Sequence, residues 1–144
     1  MTERPLFTYL ARATIMLESL QQECLEPIGL TFVEYSVLRV LIDGAMSLSK
    51  LAEAAVRTTG GMTKIVDRLE RRGLVERTPD PSDRRGVLVG LTEEGRELSE
   101  KASHAYGIGR DRILERLSKS ERAAIEKGLG RLVGAFEEDR SERA

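Results

Sequence analysis

Apolar residues fall at Leu6, Leu10, Ala13, Leu17, Leu20 and Cys24, a spacing that puts them on one face of a helix ending before Pro27 and Gly29. Thr31 and Glu34 form the S/T-x-x-E signature of a capping box, opening a second helix with an apolar face at Val33, Val37, Leu38, Leu41 and Ile42. Asp43-Gly44 stops it. Ser49 is a suitable cap for a short third helix carrying Leu51, Ala52, Ala55 and Val56. After the turn-prone Thr58-Thr59-Gly60-Gly61, a fourth helix presents Met62, Ile65, Val66 and Leu69 and closes at Gly73. The period then changes from helix to strand. Leu74–Thr78 and Gly86–Leu91 are β-prone, and the segment from Pro79 to Arg85 is rich in turn formers, which predicts a hairpin with a long tip. Thr92 caps a long helix to about Leu117, with Gly107 and Gly109 as weak points, and Ser118 with Glu121 caps a last one. That last helix carries a stripe at Ile125, Leu129, Leu132, Val133 and Phe136.

Two short helices followed by a hairpin make a winged helix-turn-helix over residues 48–91. The expected fold is mainly α (α+β), with about six helices and a β-hairpin wing. It forms a single domain over 5–137 and leaves a charged tail at 138–144.

Composition narrows the class. The 144 residues are 40% hydrophobic and 33% charged with only 4% aromatics, which suits a helical domain with an aliphatic core. No stretch approaches the roughly 20 apolar residues of a membrane span, so no membrane partner is expected. The N-terminus lacks the apolar core of an export signal, and Cys24 has no second cysteine to pair with, so a reducing cytoplasmic setting is expected. Net charge is −1, yet between Arg57 and Val87 eight basic residues face five acidic ones. A local basic surplus in a neutral chain fits a small phosphate-contacting surface, although a salt-bridged helix surface gives the same count.

Enzyme function finds no support: there is no nucleophile–base–orienter set, phosphate loop or metal cluster. No cofactor is expected. Cys24 and His104 are the only soft ligands, so a metal site is not expected either.

The run from Leu48 to Glu53, the run from Gly61 to Arg77, Asp80-Pro-Ser-Asp-Arg-Arg-Gly86 and Leu91-Thr-Glu-Glu-Gly95 together resemble the MarR-type family of bacterial regulators. The resemblance extends from about Leu6 to Phe136. It implies a homodimer held by helices in 5–30 and 93–137, binding palindromic double-stranded DNA with half-sites about one helical turn apart. The apolar stripe on the last helix fits such a shared core; packing on the chain's own first helix is the alternative. Repression follows from blocking polymerase, with activation also open. An architectural DNA binder without effector response is the competing function.

The DNA-contacting residues expected on this reading are Ser49, Lys50, Arg57, Thr58, Thr59, Gly60, Gly61, Thr63, Lys64, Arg68, Arg77, Asp83, Arg84 and Arg85. Met62 suits either a thymine methyl or the core. Arg68 suits either a phosphate or an ion pair with Asp67 or Glu70. Gly60-Gly61 removes two side chains from the start of the recognition helix, which shifts specificity toward the wing and DNA shape. The resemblance implies that Asp83 orients Arg85 into the minor groove, with Arg84 on the backbone; a simple turn cap at Asp83 is the alternative. It further implies a crevice for a small lipophilic or phenolic effector. Tyr9, Arg12, Met16, Tyr35 and Tyr106 are placed near it by position, with core packing as the competing role. Cys24 lies late in its helix, unlike the early cysteine of oxidant-sensing members, and suits a structural thiol.

Overall fold

In the computed structural model, which describes residues 5–55 and 59–144, four of the helix starts can be traced to a specific local contact. α1 spans Pro5–Leu25 and runs into a 3-10 turn at Glu26–Ile28. α2, Phe32–Val40, begins at the expected capping box: Thr31 Oγ1 accepts from Glu34 N at 3.1 Å, and Glu34 Oε2 accepts from Thr31 N at 3.0 Å. A second 3-10 turn, Leu41–Asp43, leads to β1, Met46–Ser47, and then α3, Leu48–Ala54. The cap of α3 corrects the sequence reading. Ser47, not Ser49, accepts the backbone N–H of Lys50 at 3.3 Å, and Ser49 only approaches the Ser47 hydroxyl.

α4, Thr59–Arg71, ends at Gly73, whose φ of 72° is left-handed. Gly73 N donates to Glu70 O and Leu74 N to Leu69 O, the paired bonds of a Schellman cap, with Leu69 and Leu74 both buried beside them. β2, Val75–Pro79, and β3, Val87–Leu91, pair antiparallel from Val75↔Leu91 to Pro79↔Val87. The hairpin was expected; β1 was not. It pairs with β3 through Met46↔Val89 and Ser47↔Leu88, giving the order β1-β3-β2. Two residues are too few to show a period, so its pairing is a tertiary event.

α5 spans Glu93–Leu114, passing Gly107 and Gly109 as helix, and stops one turn short of the expected Leu117. Thr92 caps it by accepting from Gly95 N at 3.0 Å while donating to Gly73 O at 2.6 Å. A Cβ on Gly95 would lie 1.9 Å from Leu74 O, so only glycine lets the first turn of α5 lie against the chain entering β2. α6, Lys119–Arg143, starts at the Ser118–Glu121 capping box. The charged residues 138–143 continue α6 as helix: they lack Gly and Pro, and Arg143 pairs with Asp139 one turn back.

The chain divides into two compact units, 1–107 and 108–144. In the first, one core joins Leu25 of α1, Val37 and Leu38 of α2, Leu51 of α3, Met62, Val66 and Leu69 of α4, Val75 and Val89 of the wing, and Ala102 of α5. Each fully buried Leu, Val or Met side chain among these contributes about 1.5–3 kcal/mol. In the second unit, Ile125, Leu129, Val133 and Phe136 of α6 are all about half exposed.

Candidate nucleic-acid interface

α4 is strongly two-sided. Met62 is fully buried and Ile65, Val66 and Leu69 follow it into the core, which assigns Met62 to packing. The opposite face shows Gly60, Gly61, Lys64, Asp67, Arg68 and Arg71. A Cβ on Gly60 would meet no described residue within 4 Å, so none of the described residues requires glycine there. Thr63 is half-buried, and Ser49 and Lys50 of α3 are exposed. Arg57 and Thr58, and the side chain of Thr59, lie outside the described residues.

The basic residues divide into two groups. Arg68 and Arg72 lean back onto Glu34, at 3.4 and 3.2 Å, and Arg72 also donates to Gly29 O at 2.8 Å. Glu34, 4% exposed, thus caps α2 and holds α4 at once. Only the first role was visible in the sequence; Arg68 pairs with neither Asp67 nor Glu70. Arg77 instead takes both of those acids, at 2.6 Å each, and its backbone N–H donates to Glu70 as well. Burial acts to lower the Arg77 pKa, but the bonds to Asp67 and Glu70 outweigh it and raise it above the ordinary value. Arg77 therefore ties β2 to α4. Among the described residues no ion pair engages Lys50, Lys64, Arg71, Arg84 or Arg85.

The wing tip is a set of nested turns. Asp80 N donates to Gly86 O at 2.9 Å and Gly86 N to Asp83 O at 3.0 Å. Asp80 Oδ1 accepts from the backbone and hydroxyl of Ser82 at 2.9 and 2.8 Å. These bonds, with Lys50 assisting and slight desolvation opposing, hold the Asp80 carboxyl below its usual range. Asp83 Oδ1 accepts the backbone N–H of Arg85 at 3.0 Å. It is therefore a turn cap, and it fixes the backbone from which the exposed Arg85 side chain leaves.

Of the residues placed near an effector crevice, Tyr35 and Tyr106 are buried and pack edge-on at 5.9 Å, with Phe32 beside both and Tyr35 Oη 3.2 Å from Ser103 Oγ. Tyr9, Arg12 and Met16 are exposed on α1. None of the five lines a cavity of about 650 Å³ formed by the C-terminal half of α1, residues 29–31, the start of α2 and Arg72. Cys24 is half-buried against the core, and His104 is exposed on α5. Among the described residues no cluster of metal-ligating side chains occurs, and no helix is long and apolar enough to cross a membrane.

Residues 30–87 match the model of the MarR family. The multiple antibiotic resistance protein MarR of Escherichia coli is 31% identical over 81% of this chain and 82% of its own length. The chain belongs to the MarR family. It is accordingly a winged helix-turn-helix transcriptional regulator. Two solved structures extend the likeness to three dimensions. A mutant of Escherichia coli MarR complexed with operator DNA superposes with a TM-score of 0.82 at 28% identity, covering 89% of this chain and 93% of that one. Bordetella bronchiseptica BpsR, described with regulation of its DNA binding by 6-hydroxynicotinic acid, gives 0.80 at 31% identity, covering 88% and 91%.

Proposed function

We propose that this regulator is a cytoplasmic homodimeric repressor that binds a palindromic operator and leaves it when a small effector binds. The observation that carries the reading is the sorting of its cations. Ion pairs occupy Arg68, Arg72 and Arg77, whereas Lys64 on α4 and Arg84 and Arg85 on the wing remain exposed and unpaired among the described residues. The amino-terminal part of α4 enters the major groove, with Thr59, Gly60, Gly61, Thr63 and Lys64 nearest the DNA and Arg57 and Thr58 preceding it. Ser49 and Lys50 meet the flanking backbone. Asp83 sets Arg85 for a narrow A·T-rich minor groove, and Arg84 meets phosphate. Arg68 and Arg77 act by positioning α4 and β2. The uncovered apolar faces of α1 and α6 supply the dimer surface.

Fluorescence anisotropy with the intergenic DNA beside its own gene tests the assignment. Lys64→Ala is expected to weaken binding and lower the salt slope by about one. Arg85→Ala is expected to weaken it by about 1–3 kcal/mol and to relax the preference for A·T-rich flanks. Wild-type affinity in both variants sinks the reading.

A further inference from the structure

Both strands of the wing are anchored at their base. Arg77 ties β2 to α4 through Asp67 and Glu70, and β3 is paired with β1 on its other edge. Regular pairing of β2 with β3 ends at Pro79↔Val87, so residues 80–86 set the direction in which Arg84 and Arg85 leave the wing. Gly86 closes that loop. Its N–H donates to Asp83 O at 3.0 Å, and its carbonyl accepts from Asp80 N at 2.9 Å. Its φ is not positive, so the backbone conformation there is open to any residue. Space is what excludes a side chain. A Cβ on Gly86 would lie 2.9 Å from Asp80 Cβ, 3.1 Å from Asp83 Cβ and 3.2 Å from Asp80 Oδ2. Carbon atoms in good contact sit about 3.5–4.0 Å apart, so this Cβ would overlap both aspartates. Neither can swing aside freely. Each Cβ is one bond from a backbone that is hydrogen-bonded across the loop, and Asp80 Oδ1 holds Ser82 while Asp83 Oδ1 holds the Arg85 N–H.

We propose, building on the operator-binding reading above, that Gly86 is the positioning residue of the wing: its missing side chain lets Asp80 and Asp83 close over it, and that closure aims Arg85 at the minor groove. Gly86 makes no contact with DNA of its own and acts through Arg85. A methyl group at this position pushes the two aspartates apart, so Arg85 leaves the hairpin from a displaced backbone. The gain an arginine draws from a narrow A·T-rich groove depends on insertion into it, and a displaced Arg85 loses that gain. Asp80 and Asp83 lie outside the hydrophobic core, so the disturbance stays at the tip. Gly86 is in this respect unlike Gly95, whose added methyl would meet the backbone of the core residue Leu74.

The test uses two duplexes carrying the same intergenic site from beside the gene, one with A·T-rich and one with G·C-rich flanks. Anisotropy is run on the wild type, Gly86→Ala, Arg85→Ala and the double variant. Gly86→Ala is expected to bind the A·T-flanked duplex about fivefold or more weakly and to lose discrimination between the two, with a urea midpoint near wild type. In the Arg85→Ala background the same substitution is expected to change affinity by less than about twofold, because the two residues act as one unit. Wild-type discrimination by Gly86→Ala, or effects that simply add in the double variant, overturn the inference. So does a Gly86→Ala chain without a cooperative melt, since the glycine then serves the fold. Arg85→Ala binding like the wild type refutes the minor-groove reading on which the inference rests, so the two failures are distinguishable.

Discussion

Glu34 sits where three demands meet: it caps α2, bridges Arg68 and Arg72, and borders the cavity at the start of α2. Glu34→Gln keeps an oxygen for the Thr31 N–H but removes the charge. With both arginines partly solvated, the loss in a urea melt should be about 1–2 kcal/mol, less than for a fully buried pair. An unchanged melt would mean the two bridges contribute nothing. The wing tip has a pH signature of its own. The folded-state pKa of Asp80 is depressed, so its stabilisation of the tip is present above the unfolded value of 3.8 and is lost as pH falls through the lower folded value. The amide resonance of Ser82 should therefore hold steady from neutrality to about pH 4 and move only in stronger acid. Movement between pH 5 and 7 would contradict that.

Two glycines separate the requirements of folding from those of binding at the level of whole elements. Gly60→Ala meets open space and improves helix propensity by up to about 1 kcal/mol, so thermal stability should rise slightly while DNA affinity falls. Unchanged DNA affinity would show that the start of α4 does not approach the duplex closely. Gly95→Ala should instead lower stability by about 1–3 kcal/mol, because the added methyl meets Leu74 O and the whole of α5 must shift. The elements themselves were largely readable from sequence, since capping boxes at Thr31 and Ser118, the stop at Gly73 and the change of period after it are local signals. β1 and the cap at Ser47 were not readable, because Met46–Ser47 becomes a strand only by pairing with residues some forty positions on. The partners of Arg68, Arg72 and Arg77 were hidden for the same reason: sequence shows the charge, and only the fold shows which carboxylate faces it.

For the whole molecule, the apolar faces have the largest consequence. Leu6, Phe7, Ile15 and Met16 of α1 and Ile125, Val133 and Phe136 of α6 are each between 47% and 65% exposed in the single chain. Patches of that kind mark association surfaces. A second copy covering them would set two wings and two recognition helices at a fixed spacing, turning modest individual contacts into selection of one site. DNase I footprinting on the intergenic DNA beside the gene tests this most directly. A palindrome with half-sites about one helical turn apart, protected by two chains and lost with Arg85→Ala, is the predicted result. Uniform protection without a preferred site, or protection by one chain, would contradict the account.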